Sequence, residues 1–327
     1  MSTVKINDVS IFSTSSIVGK KESEGPLGKF FDEVVTEKEE NSWEEEESRL
    51  MKKSIELSIK KASLTNGDIN YIFAGDLLDQ STGAIYGVKD FNIPYIGIFG
   101  ACSTIGLGMG MASMLLNAGY GKYSIATASS HFGSAEKQFR SPLELGTQRP
   151  PTTTWTVTGA GSVLLQKGAA KGPKVTYVTT GKVVDYGTTD PMNMGAAMAP
   201  AAVDTIINHL KQTGTDANYY DMIATGDLGY IGHELVLRLA SEQGYKLENY
   251  TDCGILIFDK EKQDTHSGGS GCACSAVTFA GYLYKQMLEK NLKTLLFVPT
   301  GALMSATSVK QKRPIMGIAH AISIEIV

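Results

Sequence analysis

The chain has 327 residues, enough for one large or two medium domains, and 42% apolar with 20% charged residues fits a packed soluble protein. A net charge of −4 with a pI near 5.8 argues against nonspecific nucleic-acid binding, which needs a basic face. No apolar run reaches the ~20 residues of a membrane-spanning helix, and the N-terminus lacks a charged-then-apolar leader pattern.

Taken in order, Val4 to Phe12 reads as a strand and residues 13–35 as a loop rich in Ser, Gly and Lys. Ser42 followed by Glu45 is a capping box. Acidic residues from Glu37 to Glu47 suit a solvated helix start, and Met51, Ile55, Ile59 and Ala62 form its apolar stripe. Ile69 to Ala74 and Tyr95 to Phe99 read as strands. Residues 141–156, with Arg149-Pro150-Pro151 and three threonines, read as a long irregular segment, often a lid or an interface. Val175 to Val184 reads as a strand, Met192 to Ala202 as irregular, and Asp204 to Lys211 as a helix end. Met222 to Ala224 is a strand, Ile231 to Glu242 a helix, and Cys253 to Phe258 a buried strand. The alternation indicates an α/β protein with largely parallel sheets.

One pattern occurs twice. Gly100-Ala101-Cys102-Ser103 leads into a small-residue helix and the strand Tyr123 to Ala128. Gly268 to Gly271, then Cys272-Ala273-Cys274, leads into a helix to Leu288 and the strand Thr294 to Val298. Each copy follows a strand ending in Gly-Asp-Leu, at Gly75 and Gly226. Each precedes a Gly-rich strand start, at Gly159 and Gly317. Matched landmarks in the same order argue for a duplicated half, 1–170 and 171–327, with chemistry at the seam. Four cysteines without disulfide spacing suggest a reducing compartment. Cys272 and Cys274 do not make a Cys-x-x-Cys site. Cys102, at a helix start, is placed for a lowered thiol pKa.

Ala101-Cys102-Ser103, the Gly-rich helix and the tandem halves resemble the thiolase superfamily. That implies two α/β halves in a layered αβαβα arrangement, with Cys102 at the nucleophile position. Gly75 to Gln80, Ser129-Ser130-His131-Phe132, Glu136 to Arg140, Pro142 to Gly146, Trp155 to Gly161 and Thr225 to Gly229 resemble the stage V sporulation AD family within it. The resemblance spans the whole chain. It implies a spore-former protein that binds dipicolinic acid and supports its uptake into the developing spore. It would lie peripherally at the inner membrane beside membrane proteins of the same operon, and pair as a homodimer through Tyr123 to Ala128.

The enzyme bases are missing. Ser267-Gly268-Gly269 stands where thiolases carry Gly-His-Pro, Thr225-Gly226-Asp227 holds no His, and Pro314 to Gly317 holds no second Cys. Claisen chemistry needs such groups, so a non-catalytic binder is expected. The alternatives are an acyl-CoA-using condensing enzyme with Cys102 as nucleophile, or a scaffold docking to membrane partners. No cofactor is expected, and the lack of an EF-hand-like carboxylate spacing leaves accompanying calcium open. For a planar dianion the candidate ligands are Cys102 as pocket wall, His131, Lys137, Arg140, Arg149, Asp227 and His320. His131 leads among them. His233 and His266 read as surface or structural, and His209 as exposed.

Overall fold

The computed structural model describes residues 2–37, 39–139, 149–168 and 172–326. Ten strands form its core. They are β1 (Val9–Gly19), β2 (Tyr71–Gly75), β3 (Tyr95–Gly97), β4 (Tyr123–Ser130) and β5 (Gly159–Lys167), then β6 (Lys174–Thr180), β7 (Met222–Thr225), β8 (Tyr250–Asp252), β9 (Thr294–Val298) and β10 (Met316–Glu325). Outward from the middle, the spatial order is β1-β5-β4-β2-β3 on one side and β6-β10-β9-β7-β8 on the other. The pairings match in direction as well. β5 and β10 each run antiparallel to both neighbours, and the outer pairs β4–β2–β3 and β9–β7–β8 are parallel. The two sets meet at one antiparallel pair, Ser10 with Lys174.

The sheets are therefore mixed, not largely parallel. The strands that open on glycine at Gly159 and next to Gly317 return antiparallel into the middle of each set. The strand Tyr123 to Ala128, expected to pair two copies of the chain, is interior, with β2 on one side and β5 on the other. The free edges of the parallel pairs are β3 and β8.

Helices layer this sheet. α1 (Trp43–Lys61) and α2 (Thr82–Val88) cover the outer face of the first set, with α1 packed on β1, β4 and β5. α3 (Thr104–Asn117) touches β2, β4 and β5 of the first set and β6 and β10 of the second, so it lies between them. α4 (Phe132–Phe139) follows β4 and packs on α1. α5 (Met194–Thr213) and α6 (Gly229–Glu242) cover the second set. After the single turn α7 (Cys253–Leu256) comes α8 (Cys272–Thr278), which runs through a π-helical stretch, Phe279–Leu283, into α9 (Tyr284–Leu288).

Ser42 caps α1 as expected, with its hydroxyl accepting from the Glu45 amide and Glu45 reaching back. Three segments differ from expectation. β1 continues to Gly19 through Ser13 to Ser16, whose polar composition resembles a loop. Ser13 Oγ donates to the Ser58 carbonyl and Ser15 Oγ to the Ser54 carbonyl, so these hydroxyls bury against α1. Met192 to Ala202 is mostly helix, capped by Asn193 and tolerating Pro200, because its small residues pack under β10. Cys253 opens a helical turn rather than a strand, capped by Asp252, which accepts from the Gly254 amide. The acidic run is not wholly solvated either, since Glu46 and Glu47 are buried.

Candidate functional site

Cys102 sits in a single 3-10 turn, Ala101–Ser103, that opens α3. Ala101 holds a left-handed φ of 48°, a conformation that costs a non-glycine residue energy and clusters at functional sites. The turn is fixed by Ser103 Oγ donating to the Gly100 carbonyl at 2.6 Å and Thr104 Oγ1 donating to Ala101 at 2.6 Å. The start of α8 abuts it. Cys272 Sγ donates to the Ala101 carbonyl at 2.9 Å, and Ser275 Oγ to the Cys102 carbonyl at 3.5 Å. Two helix N-termini, one from each copy of the repeated pattern, thus converge on one point.

The cavity there measures about 50 Å³, room for a few waters at ~10–15 Å³ each. Cys102, Ser270 and Gly271 form its floor; Leu77, Phe99, Phe139 and Met304 supply apolar walls. Glu136 is its single charged lining residue among the described residues. Gly271 has φ 101°, and a Cβ there would come within 2.7 Å of Ser130 Oγ, so the backbone approach requires glycine. An outer space of about 390 Å³ shares Leu77, Phe99, Phe139 and Met304 with it.

Cys102 is 4% exposed and its Sγ lies 3.8 Å from Ser270 Oγ. Burial, then the facing Asp227, push its thiol well above the ordinary range, while the Gly271 amide opposes weakly. The lowered pKa expected of a helix start is therefore not observed: desolvation outweighs the helix end. Asp227 is fully buried with φ 72°. Burial pushes its carboxyl well above the carboxylate range, with the Asp252 charge adding and the Cys102 and Cys274 thiols opposing. It faces those thiols, yet neither oxygen makes a well-aligned hydrogen bond. A neutral acid beside a neutral thiol has no base to generate a thiolate.

Of the expected ligands, only Cys102 lines the cavity among the described residues, with Asp227 buried beside its thiol. Arg140 lies outside the described residues. His131 lines a separate hollow with Lys20, Glu22 and Trp155, and its Nδ1 accepts from the Gly133 amide at 3.0 Å. Lys137 points to solvent in an ion pair with Glu44 at 2.7 Å. Arg149 donates to the Thr154 carbonyl and lies 5.0 Å from the Trp155 ring centroid. His320 is buried in β10, where Nδ1 accepts from the Gly181 amide at 3.3 Å and burial lowers it to about 4. His209 is fully buried, not exposed. It bridges Thr179 Oγ1 at 2.7 Å and Tyr220 OH at 2.6 Å. His233 stacks on Tyr250. The sequence reading missed Ser270, Glu136 and the apolar walls. Ser270 was the findable one, since it stands just before the second Gly-rich helix.

The model of stage V sporulation protein AD (SpoVAD) matches residues 1–325. The chain belongs to the stage V sporulation protein AD family. It is 43% identical over 316 residues to the stage V sporulation protein AD of Bacillus subtilis (strain 168), covering 96% of this chain and 93% of that protein. Among solved structures it is similar to cerulenin-bound OleA of Xanthomonas campestris, at TM-score 0.65 and 11% identity over 98% of this chain and all of that one. It also resembles 3-oxoacyl-[acyl-carrier-protein] synthase III of Aquifex aeolicus, at TM-score 0.59 and 11% identity, covering 97% and 99%. These likenesses establish the thiolase-like fold. The chain is thus a sporulation-family protein on that fold. Asp227 and Ser270 crowd Cys102. Among the described residues, no helix is long and apolar enough to cross a membrane, and no group of three or more His, Cys, Asp or Glu is arranged to hold a metal ion.

Proposed function

We propose that this family member binds dipicolinic acid without catalysis at the seam beside Cys102, and serves its uptake into the developing spore. The observation that carries the reading is the convergence of two helix N-termini on an apolar-walled cavity. Helix ends favour carboxylates, and two of them suit a ring bearing two. The neutral thiol and neutral Asp227 support a wall rather than a reacting centre. Glu136 resists a bare dianion but suits a calcium chelate. The ligand is larger than the inner cavity, so it would extend into the outer space or displace a wall. Partner membrane proteins, a peripheral position and a homodimer belong to the same proposal. For the dimer, the edge strand β3, with the exposed Phe99 just past it, is the supporting feature.

Calorimetric titration with dipicolinate, with and without Ca²⁺, tests the binding. Saturable one-site heat is expected, tighter with Ca²⁺; no heat at millimolar ligand overturns it. Mass spectrometry after incubation with acyl-CoA tests the enzyme alternative, and an acyl adduct on Cys102 would establish it. If neither binding nor adduct is found, the scaffold alternative takes their place.

A further inference from the structure

Behind the cavity wall lie two carboxyls that neither the fold nor the binding reading explains. Glu47, on the inner face of α1, is 1% exposed, and Asp76, just past β2, is fully buried. A Cβ added to Gly83 would stand 3.2 Å from Asp76 Oδ2 and 3.3 Å from Glu47 Oε1. The two acids thus share one small space, and among the described residues no cation bonds to either. Each ties down a different wall of the cavity. Asp76 accepts from the Leu78 amide at 2.7 Å and the Ala84 amide at 2.6 Å, fixing the turn that presents Leu77. Glu47 is bonded to Ser129 Oγ at 3.2 Å, at the end of β4, and to Ser134 Oγ at 2.7 Å, in α4. Helix α4 is the wall that carries Ala135, Glu136 and Phe139.

Ser134 reports the protonation state of Glu47. Its oxygen lies within bonding distance of two acceptors, Glu47 Oε2 at 2.7 Å and the His131 carbonyl at 3.0 Å, but a hydroxyl has one hydrogen. With Glu47 ionised, one of these contacts is left unmade. With Glu47 protonated, Oε2 donates to Ser134 Oγ, Ser134 donates to the His131 carbonyl, and the chain is complete. That same carbonyl accepts from the Ala135 amide at 3.0 Å, the bond that opens α4.

We propose that Glu47 is a positioning residue whose proton, retained while Asp76 is ionised, latches α4 against the Cys102 cavity and whose loss to solvent loosens that wall. Burial and the facing Asp76 push Glu47 up to about 8, and burial pushes Asp76 up to about 6. Between those values the pair holds one proton. The other groups facing it do not supply a compensating cation. On its own helix Glu47 faces Glu44, which is paired with Lys137 and lies near His131; Asp76 faces Tyr95 and Cys272. Above pH 8 two carboxylates face each other in one small buried space, and α4 is the helix whose first turn holds the bond that the lost proton leaves unmade. That the loosened wall admits ligand rests on the binding reading. The latch itself does not.

Hydrogen exchange of the full-length protein, without ligand, tests it. After correction for intrinsic exchange, protection of the α4 amides in the wild type is expected to fall about tenfold from pH 6.5 to 9 through local opening, while any change in α5 follows global unfolding alone. Glu47→Gln keeps the hydrogen-bonding shape and has no proton to lose, so its α4 protection should stay flat. A flat wild-type profile overturns the latch even if the variant fails to fold, and so does an equal fall in Glu47→Gln. Loss of dipicolinate binding with an intact wild-type profile would overturn the binding reading and leave the latch standing.

Discussion

Cys102 shows how a residue's neighbours can reverse what its position suggests. Placed at a helix start, it would be activated; enclosed at 4% exposure beside Asp227, it is held neutral. Alkylation by iodoacetamide at pH 7.5 is expected to modify Cys102 at least ~10-fold more slowly than free cysteine; a rate equal to or above that of cysteine would contradict the neutral thiol. His209 carries a second prediction. It is fully buried and bonded at both nitrogens, so His209→Ala leaves a cavity and two stranded hydroxyls. The expected cost is about 3 kcal/mol in denaturant unfolding. Neither environment was legible in the chain. The order of residues revealed Cys102 as a site residue, but Asp227, Ser270 and Tyr220 reach their partners from elements 11 to 168 positions away. The basic residues between His131 and Arg149 look like a carboxylate clamp in sequence. In the fold His131, Lys137 and Arg149 disperse, because a strand end, a helix and an extended segment carry them to different places.

At the scale of elements, local signals were reliable where the chemistry is local. The capping box at Ser42 forms as read, and Ser42→Ala should cost about 1 kcal/mol with an unchanged denaturant m-value. Signals failed where tertiary packing supplies the partner. Ser13 to Ser16 pass for a loop until α1 offers carbonyls to their hydroxyls. Met192 to Ala202 looks irregular until its small residues are seen packed beneath β10. The buried strand β4 reads like an interface because it is apolar and small, yet its burial is met by β2 and β5 within the chain.

The whole molecule displays the repeat most plainly: five strands in one order and direction, then five more in the same order. Its pH response follows from groups it buries. Glu22 is raised to about 7 and Glu47 to about 8, both mainly by burial. Raised carboxyls favour the folded state while protonated, and that contribution is lost as pH rises through the folded values. His209 and His320, lowered to about 4, act oppositely, removing stability as pH falls below ~6.5. Unfolding free energy should therefore drop by roughly 2 kcal/mol between pH 6.5 and 8.5, and Glu47→Gln should remove most of that drop. The central claim, that ligand enters at the seam beside Cys102, is met most directly by titrating dipicolinate into wild type, Cys102→Leu and His131→Ala side by side. Filling the cavity with leucine is expected to weaken binding at least tenfold, while His131→Ala, altering a separate hollow, leaves it within twofold. Binding abolished by His131→Ala and untouched by Cys102→Leu would contradict the account.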